Sequence, residues 1–131
     1  MRRFKYLCLI VVLLCSGCVG VLAPRDRRLH VSGQVSDADH NPLAYATVVL
    51  NGVRKETDEK GCFYFGGTSA AADFDLTVTK VGYKPYHGVK EFDFFETIVT
   101  LSSENSERPS SAIWQQLAVD EVSKFKPCGE K

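Results

Sequence analysis

The sequence predicts an all-β protein, a seven-stranded β-sandwich followed by a C-terminal amphipathic helix. Three observations lead to that prediction. From Leu29 to Leu101 apolar residues alternate with polar ones, turn-forming residues interrupt the alternation at short intervals, and helical periodicity is confined to the end of the chain. The 131 residues suit one domain, and a hydrophobic content of 44% is typical of globular proteins.

Residues 1–17 are predicted to be a secretory signal peptide. Arg2, Arg3 and Lys5 give this segment a positive start, and residues 6–14 form an unbroken apolar run. A membrane-spanning helix needs roughly 20 apolar residues, so this run is too short to cross a bilayer. We therefore expect the segment to be removed.

The end of the signal resembles the lipobox of bacterial lipoproteins. Ser16-Gly17 directly precedes Cys18, and the resemblance implies that Cys18 is acylated and becomes the first residue of the mature protein. Cys15 departs from the family pattern, because Leu is preferred at that position. The alternative is an ordinary secretory signal with an incidental cysteine. Acyl chains contribute about 0.8 kcal/mol per buried methylene, so residues 18–28 would form a membrane tether.

The residue after the predicted acylation site bears on localisation. In enteric-type sorting an Asp at this position favours retention at the inner membrane, whereas this chain has Val19. We therefore expect a lipid-anchored protein at the outer membrane, facing the periplasm.

The charge balance argues against nucleic acid as a partner. The chain has 16 basic and 16 acidic residues, and loss of the three basic residues of the signal leaves 13 against 16, a net charge of about −3. Such a domain has no positive surplus to neutralise phosphates. The expected partners are the membrane and an envelope protein.

Strand alternation recurs in seven segments. The second has two apolar faces, which predicts a central strand, and the short, charged third strand is expected at a sheet edge. In the fourth, Phe63 and Phe65 are predicted to face inward, with Cys62 and Tyr64 outward. The segments are residues 29–35, 44–50, 54–57, 62–65, 74–78, 83–89 and 95–101.

Four blocks of the sandwich follow a recurring order and spacing. They are Gly33-Gln34-Val35-Ser36-Asp37, Asn41-Pro42-Leu43 with Ala46-Thr47-Val48, residues 57–65, and Leu76-Thr77-Val78 with Val81-Gly82-Tyr83. These blocks resemble the carboxypeptidase regulatory-like domain. The resemblance implies a seven-stranded sandwich of the prealbumin (transthyretin-like) type over residues 29–102. It implies no activity, because this domain is a non-catalytic module in many surface and envelope proteins.

No catalytic residue, cofactor or metal site is predicted. His30, His40 and His87 are isolated and lack ligand spacing, and the chain has no peptidase zinc motif. Its ending also lacks the Tyr-Arg-Gly-Ser signature of the transthyretin-like hydroxyisourate hydrolases.

One segment has the beginning of an EF-hand calcium loop. Asp37-Ala38-Asp39-His40-Asn41 supplies oxygen ligands at the first, third and fifth positions. Pro42 and Val48 stand where Gly and Glu are required, so the sequence favours a polar turn.

Residues 103–131 are predicted to be a polar linker and a helix. Residues 102–111 are polar and contain a proline, as linkers do. Apolar residues then recur at steps of three and four, which is typical of an amphipathic helix ending at Pro127-Cys128-Gly129. The apolar stripe consists of Ile113, Trp114, Leu117, Ala118, Val122 and Phe125.

A helix this short needs a surface to pack on. One alternative is docking on the protein's own sandwich. Another is recognition of an envelope protein through Trp114, Leu117 and Phe125, and contact with the membrane surface is a third.

Two further features have open interpretations. Cys62 and Cys128 are two unrelated thiols or, in an oxidising compartment, a disulfide worth about 4 kcal/mol by loop closure. Tyr83 and Tyr86, with Phe92 and Phe94 nearby, form either a platform for a glycan or protein loop or a satellite core.

The expected function is that of a non-catalytic, membrane-anchored envelope lipoprotein that acts as a binding or scaffolding accessory. One alternative is an immunity or inhibitor lipoprotein that neutralises a periplasmic toxin or hydrolase, which would form a tight one-to-one complex. A second alternative is a glycan-binding module, which polysaccharide columns would retain.

Overall fold

The computed structural model describes residues 27–69, 73–91, 93–122 and 128. The predicted signal peptide, Cys18, Phe92 and Phe125 lie outside these residues. None of the described helices is long and apolar enough to cross a membrane. The elements are β1 (Arg27–Asp37), β2 (Thr47–Leu50), β3 (Val53–Glu56), β4 (Cys62–Ser69), β5 (Asp73–Thr79), β6 (Tyr86–Glu91), β7 (Phe94–Leu101), β8 (Ser111–Gln116) and a single helical turn, α1 (Val119–Val122).

The strands form two four-stranded sheets, with the orders β4-β1-β7-β8 and β3-β2-β5-β6. Neighbouring strands run antiparallel, except β1 and β7, which are parallel. The predicted all-β class is confirmed, with eight described strands in place of seven. The predicted positions of the second and third strands are also confirmed, because β2 is internal and β3 is an edge.

The core lies between the sheets and follows the alternation of each strand. Phe63 and Phe65 face inward as predicted, and Tyr64 is exposed. Cys62 lies on the same face as Tyr64 but is buried, which corrects the expectation that it is accessible. The core residues are Leu29, Val31, Val35, Leu43, Ala46, Val48, Leu50, Phe63, Phe65, Phe74, Leu76, Val78, Val99 and Leu101.

The predicted helix over residues 113–125 is wrong in its first half. Ser111–Gln116 is a strand that pairs antiparallel with β7, and helical structure is described only for Val119–Val122. Without β8, the outer side of β7 would be an unpaired edge, and hydrogen bonding to that edge outweighs the helical periodicity of the sequence.

Residues 102–110, predicted to be part of a polar linker, form an ordered loop between β7 and β8. Lys84 N–H donates to the carbonyl of Ser102 at 2.8 Å, and Ser110 Oγ donates to the carbonyl of Lys84 at 2.7 Å. Ser102 N–H donates in turn to Ser110 Oγ at 3.0 Å. These bonds fix the loop beside the start of β6, so β8 returns to the sheet at a defined position.

Two strands begin later than predicted. β2 begins at Thr47 rather than at residue 44, because Tyr45 has a left-handed backbone with φ of 56° that a strand cannot contain. β6 begins at Tyr86, directly after Pro85, which lacks the N–H that a ladder needs. Asn51-Gly52 forms the expected tight turn, with φ of 46° and 82°.

Candidate functional site

Trp114 lies on the inner face of β8, between the two sheets. Its ring packs against those of Phe74 and Phe95, with centroid distances of 5.8 and 5.6 Å. Its Nε1 donates to Tyr86 Oη at 3.1 Å, and Lys90 Nζ lies 5.6 Å from the ring centroid. Trp114 therefore closes the side of the sandwich between β6 and β8, which agrees with the alternative that the apolar stripe packs on the protein's own sandwich.

The outer face of β8 carries an apolar patch instead. Ile113 is paired directly with Ile98 of β7, and their exposed fractions are 72% and 48%. Side chains of directly opposite residues in a sheet are in contact. We call Ile98 and Ile113 the isoleucine patch.

The backbone of β8 is open on the side away from β7. Leu117 N–H donates to the carbonyl of Phe94 at 2.8 Å, and Thr97 Oγ1 donates to the carbonyl of Ile113 at 2.9 Å. In an antiparallel pair, residues bonded to the partner strand alternate with residues whose N–H and C=O groups point away. The open side of β8 therefore presents the backbone groups of Ala112, Trp114 and Gln116. The structure gives these groups no partner on that side among the described residues.

The opposite edge of the same sheet, β4, is hydrogen-bonded in its first half. Asp58 pairs with Cys62 through two bonds, one from Cys62 N–H to Asp58 Oδ1 at 2.9 Å and one from Asp58 N–H to the carbonyl of Cys62 at 3.0 Å. Lys55 Nζ donates to the carbonyl of Tyr64 at 2.8 Å. Gly61 allows the turn, because its φ is 74° and an added Cβ would lie 2.5 Å from a carbonyl oxygen of β1.

The two edges of the second sheet carry charge. β3 contributes Arg54, Lys55 and Glu56, and β6 contributes Lys90 and Glu91. Charged side chains on an edge strand discourage pairing with another strand. Among the four edges of the described sheets, β3 and β6 carry charges and β4 is bonded at Cys62 and Tyr64, whereas β8 has neither protection.

Two described residues that follow β8, Leu117 and Cys128, are held against the first sheet. Leu117 is buried, and Cys128 forms a disulfide with Cys62 of β4, with a Cα–Cα distance of 5.3 Å. Cys128 N–H donates to Ser32 Oγ, and Ser32 is fully buried. A depression of about 360 Å³ lies between this disulfide and Ile98.

His30 lies on the same outer face and is only 6% exposed. Its ring makes edge contacts with Tyr64 and Phe94, at centroid distances of 5.1 and 6.3 Å. Burial lowers the pKa of His30, because the charged imidazolium is poorly solvated there. The ring is therefore part of a packed layer outside the sheet rather than the solvated surface residue expected of an isolated histidine.

The candidate calcium loop is a turn held by hydrogen bonds between the Asp37 side chain and backbone N–H groups. Asp37 Oδ1 accepts hydrogen bonds from the N–H groups of Asp39 and Asn41, both at 2.9 Å. The bond from the Asn41 backbone is the main reason that the pKa of Asp37 is lowered. No group of three His, Cys, Asp or Glu side chains among the described residues could hold a metal ion.

The other residues predicted to bind a partner are structural where they are described. Tyr83 and Tyr86 are half-buried and pack against the core, and Leu117 is buried. Sequence reasoning did not identify Ile98 as part of a binding surface. The alternation of the seventh strand was the available signal, because it places Ile98 on the face opposite to that of Val99.

Comparison with known proteins places the chain in a family. The sequence profile of the carboxypeptidase regulatory-like domain matches residues 30–107, more than half of the chain. The chain belongs to this family. The carboxypeptidase regulatory-like domain therefore includes all strands of the sandwich except β8 and the first residues of β1.

Sequence similarity extends to a viral protein. The chain is 32% identical over 94 residues to "Structural protein 27" of a virus (isolate Australia/Victoria), a match that covers 63% of the chain and 18% of the viral protein. The chain thus spans less than a fifth of this relative.

Two solved structures have similar folds. One is a Bacteroides fragilis protein of unknown function described as membrane-associated, with a TM-score of 0.44 and 18% identity over 63% of this chain and 30% of that one. The other is catechol 1,2-dioxygenase from Pseudomonas arvilla C-1, with a TM-score of 0.47 and 14% identity over 69% of this chain and 57% of that one.

Proposed function

We propose that the protein is a non-catalytic envelope lipoprotein that binds a protein partner through the β8 edge and the isoleucine patch. Acylated Cys18 holds it on the outer membrane, facing the periplasm. The chain from Cys18 to Arg27 spans at most about 30 Å when extended, so the tether keeps the sandwich close to the membrane. The protein acts there as a binding or scaffolding accessory.

The open edge of β8 is the observation that carries this proposal. An extended segment of a partner can add to such an edge, with backbone hydrogen bonds supplying affinity and alternate side chains supplying specificity. Ile98 and Ile113 offer an apolar surface on one face of the added strand. β3 and β6 carry charges and β4 is bonded at Cys62 and Tyr64, so these edges are less suited to the same segment.

The placement of the polar groups supports a non-catalytic role. Thr57 Oγ1 donates to the carbonyl of Leu43 at 2.7 Å and accepts from Ala46 N–H at 2.9 Å, so this buried hydroxyl holds a loop. His87 Nε2 lies 2.6 Å from Asp75 Oδ1 on the outer face of the second sheet, with both side chains more than half exposed. Catalytic groups usually work in concave, partly enclosed sites, and this pair lies on an open surface.

Photo-crosslinking in native envelopes tests the proposed surface. A photoreactive residue replaces Ile113 in the full-length protein, and the matched control replaces Val89, an exposed β-branched residue of β6 with an exposed fraction of 55%. A specific protein adduct is expected from position 113 and not from position 89. Identical adducts from both positions, or none from either, would contradict the proposal.

The identity of the crosslinked protein distinguishes a neutralising role from a scaffolding role. A toxin or hydrolase captured in a one-to-one complex would make the protein a neutralising lipoprotein. A structural envelope component would make it a scaffold, a role in keeping with the name of the viral relative. The glycan-binding alternative has less support, because Tyr86 Oη is already bonded to Trp114.

The membrane anchor has its own test. Replacement of Cys18 by Ala removes the predicted acylation site and leaves the sandwich unchanged. We expect the Cys18→Ala protein to leave the membrane fraction, whereas Cys15→Ala, the matched control, stays in it. Membrane retention of the Cys18 variant would refute the acylation proposal.

A further inference from the structure

We propose that the segment added to the β8 edge is β8 of a second copy of this chain. The two strands pair antiparallel about a two-fold axis at Ile113, which joins the two β4-β1-β7-β8 sheets into one eight-stranded sheet. This inference rests on the proposed function, because it names the partner of the same surface.

The charge pattern of the edges favours self-pairing at β8. A two-fold contact places the residue on the axis opposite its own copy and the residues on either side of it opposite each other, so an uncharged strand pairs with its copy without repulsion in any register. β8 has the sequence SAIWQQ and contains no charged residue. The edges of the second sheet are less suited, because β3 contains VRKE and β6 contains YHGVKE, and an axis through a charged residue would oppose like charges.

Alternation along β8 restricts the register. Residues opposite each other in an antiparallel pair have their side chains on the same face, so Ile113 can oppose Ile113 or Gln115 but not Trp114. Centring on Ile113 places Ala112 opposite Trp114, and both residues present their N–H and C=O groups to the open side. Four backbone hydrogen bonds then form, and Ile113 occupies a pair without hydrogen bonds, where side chains approach closely.

The outer face then gains a continuous apolar row. Because Ile113 is paired with Ile98 within each copy, the row runs from Ile98 to Ile113 and on to the same two residues of the second copy. The large ring of Trp114 lies opposite the small side chain of Ala112 on the inner face. The exposed side chain of Ile113 packs against its own copy across the axis and loses part of its contact with water, which provides the driving force.

A register centred on Trp114 is disfavoured. It would place the two Trp114 residues opposite each other, and each carries Lys90 close to its ring, with Nζ 5.6 Å from the centroid. Two ammonium groups would then approach across the axis. Ile113 would lie opposite Gln115 and leave an amide against the apolar patch.

The proposed dimer also fits two membrane tethers. β1 runs parallel to β7 and therefore antiparallel to β8, so the two β1 strands begin at opposite ends of the joined sheet. Each tether spans at most about 30 Å. The dimer is therefore expected to lie with its strands along the membrane.

Cysteine crosslinking in envelopes that contain the full-length protein tests both the pairing and its register. Ile113→Cys places two thiols in a close, non-hydrogen-bonded pair, so oxidation is expected to double the apparent mass on a non-reducing gel. Gln115→Cys alone is the matched control and gives no dimer, because its partner is Ser111. Coexpressed Ser111→Cys and Gln115→Cys proteins should form a mixed dimer.

Several results would overturn the inference. Absence of an Ile113→Cys dimer would do so, as would crosslinking only between Ile113→Cys and Gln115→Cys proteins, which reports the register centred on Trp114. Sedimentation of the detergent-solubilised protein gives a second measurement. Ile113→Lys is expected to shift a dimer to a monomer that keeps the circular dichroism spectrum of the folded sandwich, since Ile113 is exposed in the single copy.

The photo-crosslinking adduct at position 113 separates this inference from the proposed function. An adduct of two copies of this chain supports both. An adduct with a different protein supports the binding role and overturns self-pairing. No adduct, together with a monomer in sedimentation, overturns both.

Discussion

On each of the two sides of the sandwich, a lysine lies over an aromatic ring at the boundary between the sheets. The two sides differ in the hydrogen bonding of their edge strands. Between β3 and β4, Lys55 Nζ lies 4.9 Å from the ring centroid of Phe65. Between β6 and β8, Lys90 Nζ lies 5.6 Å from the ring centroid of Trp114. Lys55 also donates to the carbonyl of Tyr64 and so covers part of the β4 edge, whereas Lys90 donates to no β8 carbonyl among the described residues.

This difference shows that shielding the core from water and protecting an edge strand from further pairing require separate contacts. An aromatic ring under a lysine shields the inner layer from water on either side of the molecule. Protection of an edge additionally requires that its backbone groups be bonded or that charges repel an incoming strand. The β4 side meets the second requirement at Cys62 and Tyr64, and the β8 side meets only the first, so the backbone of β8 is available without exposure of the core.

The largest expected effect comes from the disulfide, which ties the chain after β8 to the protected β4 side. The bond joins cysteines 66 positions apart, and its removal by Cys128→Ser should lower the free energy of unfolding by about 4 kcal/mol. Urea denaturation followed by circular dichroism measures the loss. Reduction of the wild-type protein should give the same loss, and reductant should not affect the Cys128→Ser protein.

A wild-type protein whose mass shows two free thiols, or whose midpoint is insensitive to reductant, would contradict this prediction. Intact mass under non-reducing conditions distinguishes the two states, because formation of the bond removes two hydrogens.

Removal of the aromatic ring on the open side should have the next largest effect. Trp114→Ala deletes contacts with Phe74 and Phe95 and is expected to destabilise the protein by about 3 kcal/mol. Trp114→Phe retains a ring and loses the bond to Tyr86 Oη, which should cost about 1 kcal/mol. Chemical denaturation measures both, and Val89→Ala at an exposed position of β6 is the control. Equal effects of Trp114→Ala and Val89→Ala would place Trp114 outside the core.

The sandwich could be predicted from sequence because buried apolar residues alternate with exposed polar residues along its strands. The inward orientation of Phe63 and Phe65 is confirmed, since their strand has one face in the core. The turn residues that separate the strands, such as Asn51-Gly52, carry a local signal that does not depend on distant parts of the chain.

The β8 edge could not be predicted, because its strand structure depends on β7. Apolar residues at 113, 114, 117 and 118 fit a helix as well as they fit a strand. The strand is favoured over the helix because it pairs with the otherwise unpaired backbone of β7 and because it places Trp114 in the space beside Phe95. The burial of Cys62 was missed for a related reason, since it depends on Cys128, which is 66 positions away.

The two lysines allow a direct comparison of the two sides. Lys55→Met retains an apolar chain over Phe65 but removes the bond to the Tyr64 carbonyl, so we expect a loss of roughly 1 kcal/mol and increased self-association through β4. Lys90→Met loses only the contact with the ring of Trp114, an effect of about 0.5 kcal/mol. Denaturation midpoints and light scattering measure the two changes. The comparison fails if Lys90→Met promotes association as strongly as Lys55→Met.

The smallest expected effect is a pH dependence from the layer that covers the first sheet. Burial lowers the pKa of His30 below its ordinary value of 6.5, so the unfolded chain binds the proton more readily than the folded protein. The stabilising contribution is therefore complete above about pH 6.5 and is lost as the pH falls through the folded-state pKa. The stabilising contribution of the ionised Asp37 carboxylate is lost only at lower pH, as the pH falls below the ordinary pKa of 3.8.

Titration of the His30 ring protons by NMR links this effect to the disulfide. In the oxidised protein the pKa of His30 should lie below 6.5, and in the Cys128→Ser protein it should rise towards 6.5, since loss of the Cys62–Cys128 bond lets water reach the ring. An unchanged His30 pKa would mean that the ring is buried by Tyr64 and Phe94 alone, and that the chain after β8 does not shield this face.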